Sequence, residues 1–179
     1  YKGINEEHQA VRRNTGLFDV SHMGEFIVKG KEALLLVNEL TVNDVTVLAP
    51  GDIQYSCFPN EIGGIVDDLL VYRLFDDQCA AGEQAFMLVV NASNIEKDLN
   101  WLQKNNRYDT RIINISENTA LLALQGPKAI LLLQELTQVD LAQINYYSFK
   151  KGEVAGIDNV LLSATGYTGA GGFELYVEE

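Results

Sequence analysis

Two adjacent carboxylates, Asp67 and Asp68, interrupt an otherwise apolar run, Ile65-Val66-Asp67-Asp68-Leu69-Leu70-Val71-Tyr72. In a strand, neighbouring side chains point to opposite faces, so one carboxylate is directed at the core or a cavity and the other outward. A carboxylate among Val66, Leu69 and Val71 is costly unless it meets donors or a ligand, and such surroundings tune its pKa as acid–base chemistry requires. The alternative is a turn-proximal charge satisfied by backbone N–H groups. A second constellation is Gly166-Tyr167-Thr168-Gly169-Ala170-Gly171-Gly172-Phe173-Glu174, in which four of nine residues are Gly. It has no phosphate-loop Lys and no helix pattern follows it, which argues against a nucleotide-phosphate cradle. A hairpin turn needs only two of these glycines. The excess suggests backbone pressed close to a flat ligand, with Tyr167 offering a ring and hydroxyl. Glu174 could accept two parallel N–H bonds from an amidine-like heterocycle edge. A glycine-rich turn with an exposed Glu is the competing reading.

Two smaller features remain open. Asn91, in Val89-Val90-Asn91-Ala92-Ser93-Asn94, stands where a strand gives way to a helix and is either a helix cap or a donor and acceptor for a ligand. Asp19-Val20-Ser21-His22 has the residue types of a catalytic site, but a lone His beside a Ser on a strand is more often structural.

Composition excludes several classes. The 179 residues carry 13 Lys+Arg against 25 Asp+Glu, a net charge of −12, which argues against a nucleic-acid surface. No apolar stretch approaches the roughly 20 residues of a bilayer span, and no signal peptide opens the chain. Only Cys57 and Cys79 occur, with two histidines and no CxxC, so no zinc-site spacing can be assembled and a reduced, cytoplasmic setting is expected. No GxSxG elbow accompanies either histidine. The chain opens on Tyr1 rather than Met and stops on Val177-Glu178-Glu179 within an expected strand, so a piece of a longer protein is expected.

The elements that must position these groups follow from periodicity. Helical spacing runs over 4–13, with Asn14-Thr15-Gly16 as its stop; further helices are expected over 32–40 and 92–103. Alternation and β-rich composition give strands at 24–30, 53–58, 65–72 and 86–90, with a hairpin loop at Asn60-Glu61-Ile62-Gly63-Gly64. The segment 30–41 also lies over 126–137 without a gap, with seven of twelve positions identical, and each copy follows a strand. A duplication therefore predicts an α+β fold of two related units, each a mostly antiparallel sheet with helices packed on one face. The expected division is 1–119 for the first unit and 120–179 for the second.

Taken together, Thr15-Gly16-Leu17-Phe18-Asp19-Val20-Ser21-His22-Met23-Gly24, Gly63-Gly64-Ile65-Val66-Asp67-Asp68-Leu69, Leu124-Gln125-Gly126-Pro127 and Gly166-Tyr167-Thr168-Gly169 resemble the tetrahydrofolate-dependent aminomethyltransferases, the T-proteins of glycine cleavage. The motifs occur in the family's order over nearly the whole chain. One departure is Ala170, where the family often has an acidic residue. The resemblance implies a folate-binding body of two related units plus a third, β-rich domain that is not in this chain. It implies that Asp68 is the catalytic aspartate, that Glu174 contacts the pterin, and that Tyr55, Tyr167 and Asn91 line the folate site. Arginines for the folate glutamate tail would lie beyond Glu179. The implied cofactor is tetrahydrofolate and the implied partner is lipoylated H-protein, with no metal, membrane or nucleic acid. Two other functions use similar architecture: the folate domain of dimethylglycine- or sarcosine-type oxidases, and non-catalytic folate binders of iron–sulfur maintenance. The first needs a flavin fingerprint and the second a Lys-Gly-Cys-Tyr-x-Gly-Gln-Glu motif; this sequence contains neither.

Overall fold

The computed structural model describes residues 2–178, the side chain of Gln78 apart. These residues form two compact units: His22–Glu117, and a discontinuous unit made of 2–21 with 118–178.

In the His22–Glu117 unit the chain runs β2 (Gly24–Gly30), α2 (Ala33–Leu40), β3 (Ile53–Pro59), β4 (Ile65–Arg73), β5 (Gln84–Val90), α3 (Ile95–Asn105) and β6 (Thr110–Asn114). The sheet has the order β3-β4-β5-β2-β6, with every neighbouring pair antiparallel. Alternation sorts its side chains. Phe26 and Val28, Leu69 and Val71, and Phe86, Leu88 and Val90 share one face and pack with Leu36, Val37 and Leu40 of α2 and Leu102 of α3. At roughly 1.5–3 kcal/mol for each fully buried large apolar side chain, this helix-covered face is the main stabilising layer of the unit.

The other unit runs α1 (Ile4–Arg13), β1 (Gly16–Asp19), β7 (Thr119–Gln125), α4 (Ala129–Gln134), β8 (Phe149–Val154), β9 (Ile157–Ser163) and β10 (Gly172–Glu178). Glu179, expected in the same strand as Glu178, lies outside the described residues. The sheet order is β1-β7-β10-β9-β8, again antiparallel throughout. Leu133 of α4 packs with Val160, Leu162, Phe173 and Leu175 on one face.

The duplication expected from 30–41 and 126–137 has a structural counterpart that extends beyond the matched residues. The end of each copied helix is tied to the short 3-10 turn that follows it: Asn38 Oδ1 accepts from the Val45 N–H (2.9 Å), and Gln134 Oε1 from the Leu141 N–H (3.0 Å). Asp44 and Asp140 cap those turns through the Thr46 and Ala142 N–H groups. Thereafter β2, β3, β4 and β5 correspond to β7, β8, β9 and β10. The fifth strand differs in its origin. The helix and edge strand that close one sheet, α3 and β6, follow the copied segment; their counterparts α1 and β1 precede it. The units are thus circularly permuted versions of one topology. This alters the expected division, because 2–21 associates with 118–178 rather than with the residues that follow it. The reason is backbone pairing: β1 is hydrogen-bonded along β7, from Gly16 opposite Gln125 to Asp19 opposite Leu122. Among the described residues no helix is long and apolar enough to cross a membrane.

Gly30 and Gly126 occupy the same place in the two units and show why each must be glycine. Both have positive φ, 154° and 131°. A Cβ would stand 2.3 Å from the Asp109 carbonyl oxygen at Gly30 and 2.4 Å from the Asn14 carbonyl oxygen at Gly126. Each of those carbonyls accepts an N–H two residues further on, from Glu32 and Lys128 respectively, so neither can withdraw without losing a hydrogen bond. Gly30→Ala and Gly126→Ala are each expected to lower stability by about 2–3 kcal/mol in urea unfolding. Gly63→Ala, at φ 81° but with open space around it, is expected to cost about 1 kcal/mol.

Candidate functional site

The β4 register fixes the first group of candidates. Asp67 falls on the helix-covered face with Leu69 and Val71, and Asp68 on the opposite one. Cys57 is directly across from Asp68, which brings Tyr55, two residues along β3 on the same face, into diagonal reach. The Tyr55 hydroxyl donates to Asp68 Oδ2 at 2.8 Å. On the other flank, Leu69 pairs with Val90 at the end of β5, so Asn91 lies one step past the ladder beside Asp68. Its Nδ2 donates to Asp68 Oδ1 (2.9 Å), Asp68 O (3.3 Å) and Asp67 Oδ1 (3.1 Å). Asn91 is the N-cap residue of a 3-10 turn, yet its side chain makes no capping bond. The amide is committed to the two carboxylates instead. Asp68, Tyr55 and Asn91, singled out separately in the sequence, are therefore brought together.

Glu174 and the glycine loop belong to the other unit. Glu174 stands on the face of β10 away from α4, opposite Ser163, and accepts from the Thr165 hydroxyl, which is itself 2.7 Å from Ser163 Oγ. Burial pushes the Glu174 carboxyl above its ordinary range, and the Thr165 bond opposes the shift. Burial also raises the nearby Tyr147 phenol, with smaller contributions from Tyr146 and Glu174. The glycine excess has a largely internal cause. A Cβ on Gly166 would meet Gln125 Oε1 at 2.0 Å, and one on Gly172 would meet the Leu124 carbonyl at 2.2 Å. Buried Gln125 donates to the Thr165 and Phe173 carbonyls and accepts from Thr168, anchoring both ends of the loop. Gly169 and Gly171 have positive φ and open space around them, and Tyr167 between these anchors is fully exposed.

The Asp19-Ser21 pair is structural. Asp19 Oδ1 accepts from the backbone and hydroxyl of Ser21, and Ser21 Oγ accepts the Leu121 N–H, while His22 is exposed. Two buried acids were not singled out in the sequence. Asp98 shares the inward side of α3 with Ile95, Leu99 and Leu102, a spacing that marks an acid on an apolar stripe. Glu25 carried no such signal, because it follows the polar alternation of β2. It is fully buried, neither of its oxygens meets a donor among the described residues, and burial pushes its carboxyl up to about 8. Among the described residues no group of three or more His, Cys, Asp or Glu is arranged to hold a metal ion.

The GCVT N-terminal domain family matches residues 1–179. The chain belongs to that family. Among curated relatives, aminomethyltransferases of Bacteroides fragilis and Flavobacterium psychrophilum are 57% and 53% identical to this GCVT N-terminal domain over 176 residues, 98% of the chain. That of Thermotoga petrophila is 50% identical over 179 residues, 99% of the chain. In each case the match covers 47% of the relative, so the chain spans about half the length of the curated relatives it matches. The crystal structure of glycine cleavage system aminomethyltransferase T from Bartonella henselae superposes with a TM-score of 0.83 at 31% identity, covering 97% of this chain and 44% of that one. A heterotetrameric sarcosine oxidase from Corynebacterium sp. U-96 gives a TM-score of 0.60 at 18% identity over 98% of this chain and 82% of that one, a likeness of fold. The GCVT N-terminal domain is accordingly an α+β fold with two antiparallel sheets.

Glu25 gives this domain a pH-dependent component of stability. A carboxyl at about 8 in the folded protein against 4.5 in the unfolded chain keeps its proton when folded and loses it when unfolded. Stability therefore falls as pH rises through that window. Glu25→Gln, which has no proton to lose, is expected to match the wild type at pH 4.5 and to exceed it by about 1 kcal/mol or more at pH 9, read from urea unfolding at both values.

Proposed function

We infer that the chain is the folate-binding part of a tetrahydrofolate-dependent aminomethyltransferase of glycine cleavage. The observation that carries this reading is the setting of Asp68. Each of its oxygens is held by a neutral donor, Tyr55 on one and Asn91 on the other, and no ion pair among the described residues involves it. Neutral donors fix a carboxylate without cancelling its charge. Two of its roughly four lone-pair directions are used, so it can still accept an N–H from a bound ligand. The family relationship supports the same assignment.

The substrate in this reading is the aminomethyl group on the lipoyl arm of H-protein. Tetrahydrofolate supplies the two nitrogens that take over the carbon as it loses ammonia and its bond to the lipoyl sulfur, giving 5,10-methylenetetrahydrofolate and the dihydrolipoyl arm. Asp68 has an electrostatic role: its fixed charge accepts an N–H at the attacking nitrogen and stabilises the positive character developing at the transferred carbon. A carboxylate so placed also serves to move a proton. Glu174 suits the pterin edge. It is partly desolvated and engaged by a single hydroxyl, so two N–H donors on a heterocycle would satisfy its charge and bring its raised pKa down. Exposed Tyr167 is assigned to the ring of the same ligand, and these contacts contribute by holding the reacting atoms in place. Cys57 and Cys79 are free thiols, as suits a cytoplasmic enzyme.

In the intact protein assayed with tetrahydrofolate and lipoylated H-protein, Asp68→Asn is expected to lower kcat by about 100-fold or more while changing folate affinity only a few-fold. Glu174→Ala is expected to weaken folate binding by roughly 10-fold or more in calorimetric titration. Wild-type turnover by Asp68→Asn would overturn the role given to Asp68, and tight folate binding without any transfer would favour a non-catalytic folate binder.

A further inference from the structure

Behind Asp67, on the helix-covered side of the sheet, lies an acidic group that the proposed reaction does not use. Asp98 is in the first turn of α3 and is 0% exposed; Asp67 is 8% exposed. Three of their four carboxylate oxygens, both of Asp98 and Oδ2 of Asp67, are buried without a donor among the described residues. The cation that acts on Asp98, Lys97, is turned to the Val66 carbonyl at 2.6 Å. Two adjoining buried carboxylates with three unanswered oxygens and no ion pair among the described residues are not a stable arrangement. One proton resolves it: held by Asp98 and shared with Asp67 as a hydrogen bond, it gives the Asp67 carboxylate a donor and leaves a neutral acid in the core.

The remainder of the network requires the proton on Asp98 rather than on Asp67. Asp67 Oδ1 accepts from Asn91 Nδ2, and the Asp67 carboxyl also faces the Asn94 side chain and the Asp68 N–H. Burial alone would raise the Asp67 carboxyl, but these donors, with Asp98 the strongest, carry it below its ordinary value. Asp98 moves the other way, up to about 7, through burial first, then its hydrogen bond to Asp67 and the Asp67 charge; Asp68 adds to the shift and Lys97 opposes it. A charged Asp67 in turn dictates how the Asn91 amide is oriented. Three acceptors surround Nδ2, and a flipped amide would set its carbonyl oxygen against all three.

We propose that Asp98 is a positioning residue for Asp68: protonated, it donates a hydrogen bond to a charged Asp67, which keeps the Asn91 amide turned so that it holds Asp68 Oδ1. This rests on the role given to Asp68 above. It adds an ionisation that acts at a distance, because loss of the Asp98 proton removes a donor from Asp67 and adds negative charge beside it, which draws the shared Asn91 amide towards Asp67 and away from Asp68. The groups facing Asp98 are Asp67 and Asp68 from β4 and Lys97 from its own helix.

The test uses the intact protein and two readouts. In wild type, kcat/KM is expected to fall by about 10-fold between pH 6.5 and pH 9 with a midpoint near 7. Asp98→Asn, whose amide still donates to Asp67, is expected to stay within about 3-fold of wild type at pH 6.5 and to lose that decline. Asp98→Leu, with no donor, is expected to lose roughly 10–100-fold in kcat with a smaller change in KM for folate. Independently of turnover, the Asn91 side-chain amide signal in nitrogen-15 NMR, recorded without folate, is expected to titrate near pH 7 in wild type and not in Asp98→Asn. An Asn91 signal that does not titrate, or an Asp98→Asn profile that keeps the wild-type decline, overturns the proposal. A titrating Asn91 signal in a protein without transferase activity upholds the coupling and overturns the functional reading instead. Should Asp98→Leu fail to fold, Asp98→Asn and the amide titration decide the matter.

Discussion

Much in the His22–Glu117 unit depends on the register of β4 between β3 and β5. Because Leu69 is paired with Val90 and Cys57 with Asp68, one residue step separates a carboxylate aimed at the helix side from one aimed at the other. Asn91 is placed where a single amide reaches both. A slip of one residue would exchange the faces of Asp67 and Asp68, carry Leu69 and Val71 out of the apolar layer, and take Asp68 away from the Tyr55 hydroxyl. The apolar side of the strand thus enforces the geometry of its polar side: burial of Leu69 and Val71 sets where Asp68 points.

The same division of labour holds within each unit taken alone. One sheet face is covered by helices and carries the large apolar side chains; the opposite face carries the acids given chemical roles, Asp68 in one unit and Glu174 in the other. Antiparallel sheets allow this because their two faces can serve different purposes. Neither acid is neutralised by a cation among the described ion pairs, and each is steadied by hydroxyl or amide donors. Positioning by neutral groups preserves charge, which an electrostatic role requires.

What could be read in the sequence follows the range of the physics involved. Strand and helix positions came from periodicities that act over a few residues, and α1, β2 and β4 fall within a residue or so of their expected bounds. The internal repeat was visible because identical residues perform identical local tasks, as Asn38 and Gln134 do in tying each helix to its following turn. The placement of 2–21 was not visible, since pairing of β1 with β7 depends on contacts far apart in the chain. At the candidate site, Asp67 and Asp68 stand out by their apolar neighbours and Glu174 by the glycine loop before it, but the sequence does not show that Gly166 and Gly172 also answer to Gln125 and Leu124. Asp98 could have been found from its place on the apolar stripe of α3. Glu25 could not, because a polar residue alternating along a strand looks the same whether its face is open or covered.

The permuted origin of the edge strand also bears on the order in which the molecule can be assembled during synthesis. The His22–Glu117 unit is continuous, so all five of its strands emerge together and it can close as soon as β6 leaves the ribosome. The other unit begins first and finishes last. β1, with Leu17 largely exposed and Phe18 partly so, is made early but has no sheet to join until β7 arrives after the whole intervening unit. The nascent chain must therefore carry an unpaired apolar strand through the folding of its own insert, the stage at which such edges invite aggregation and chaperone capture.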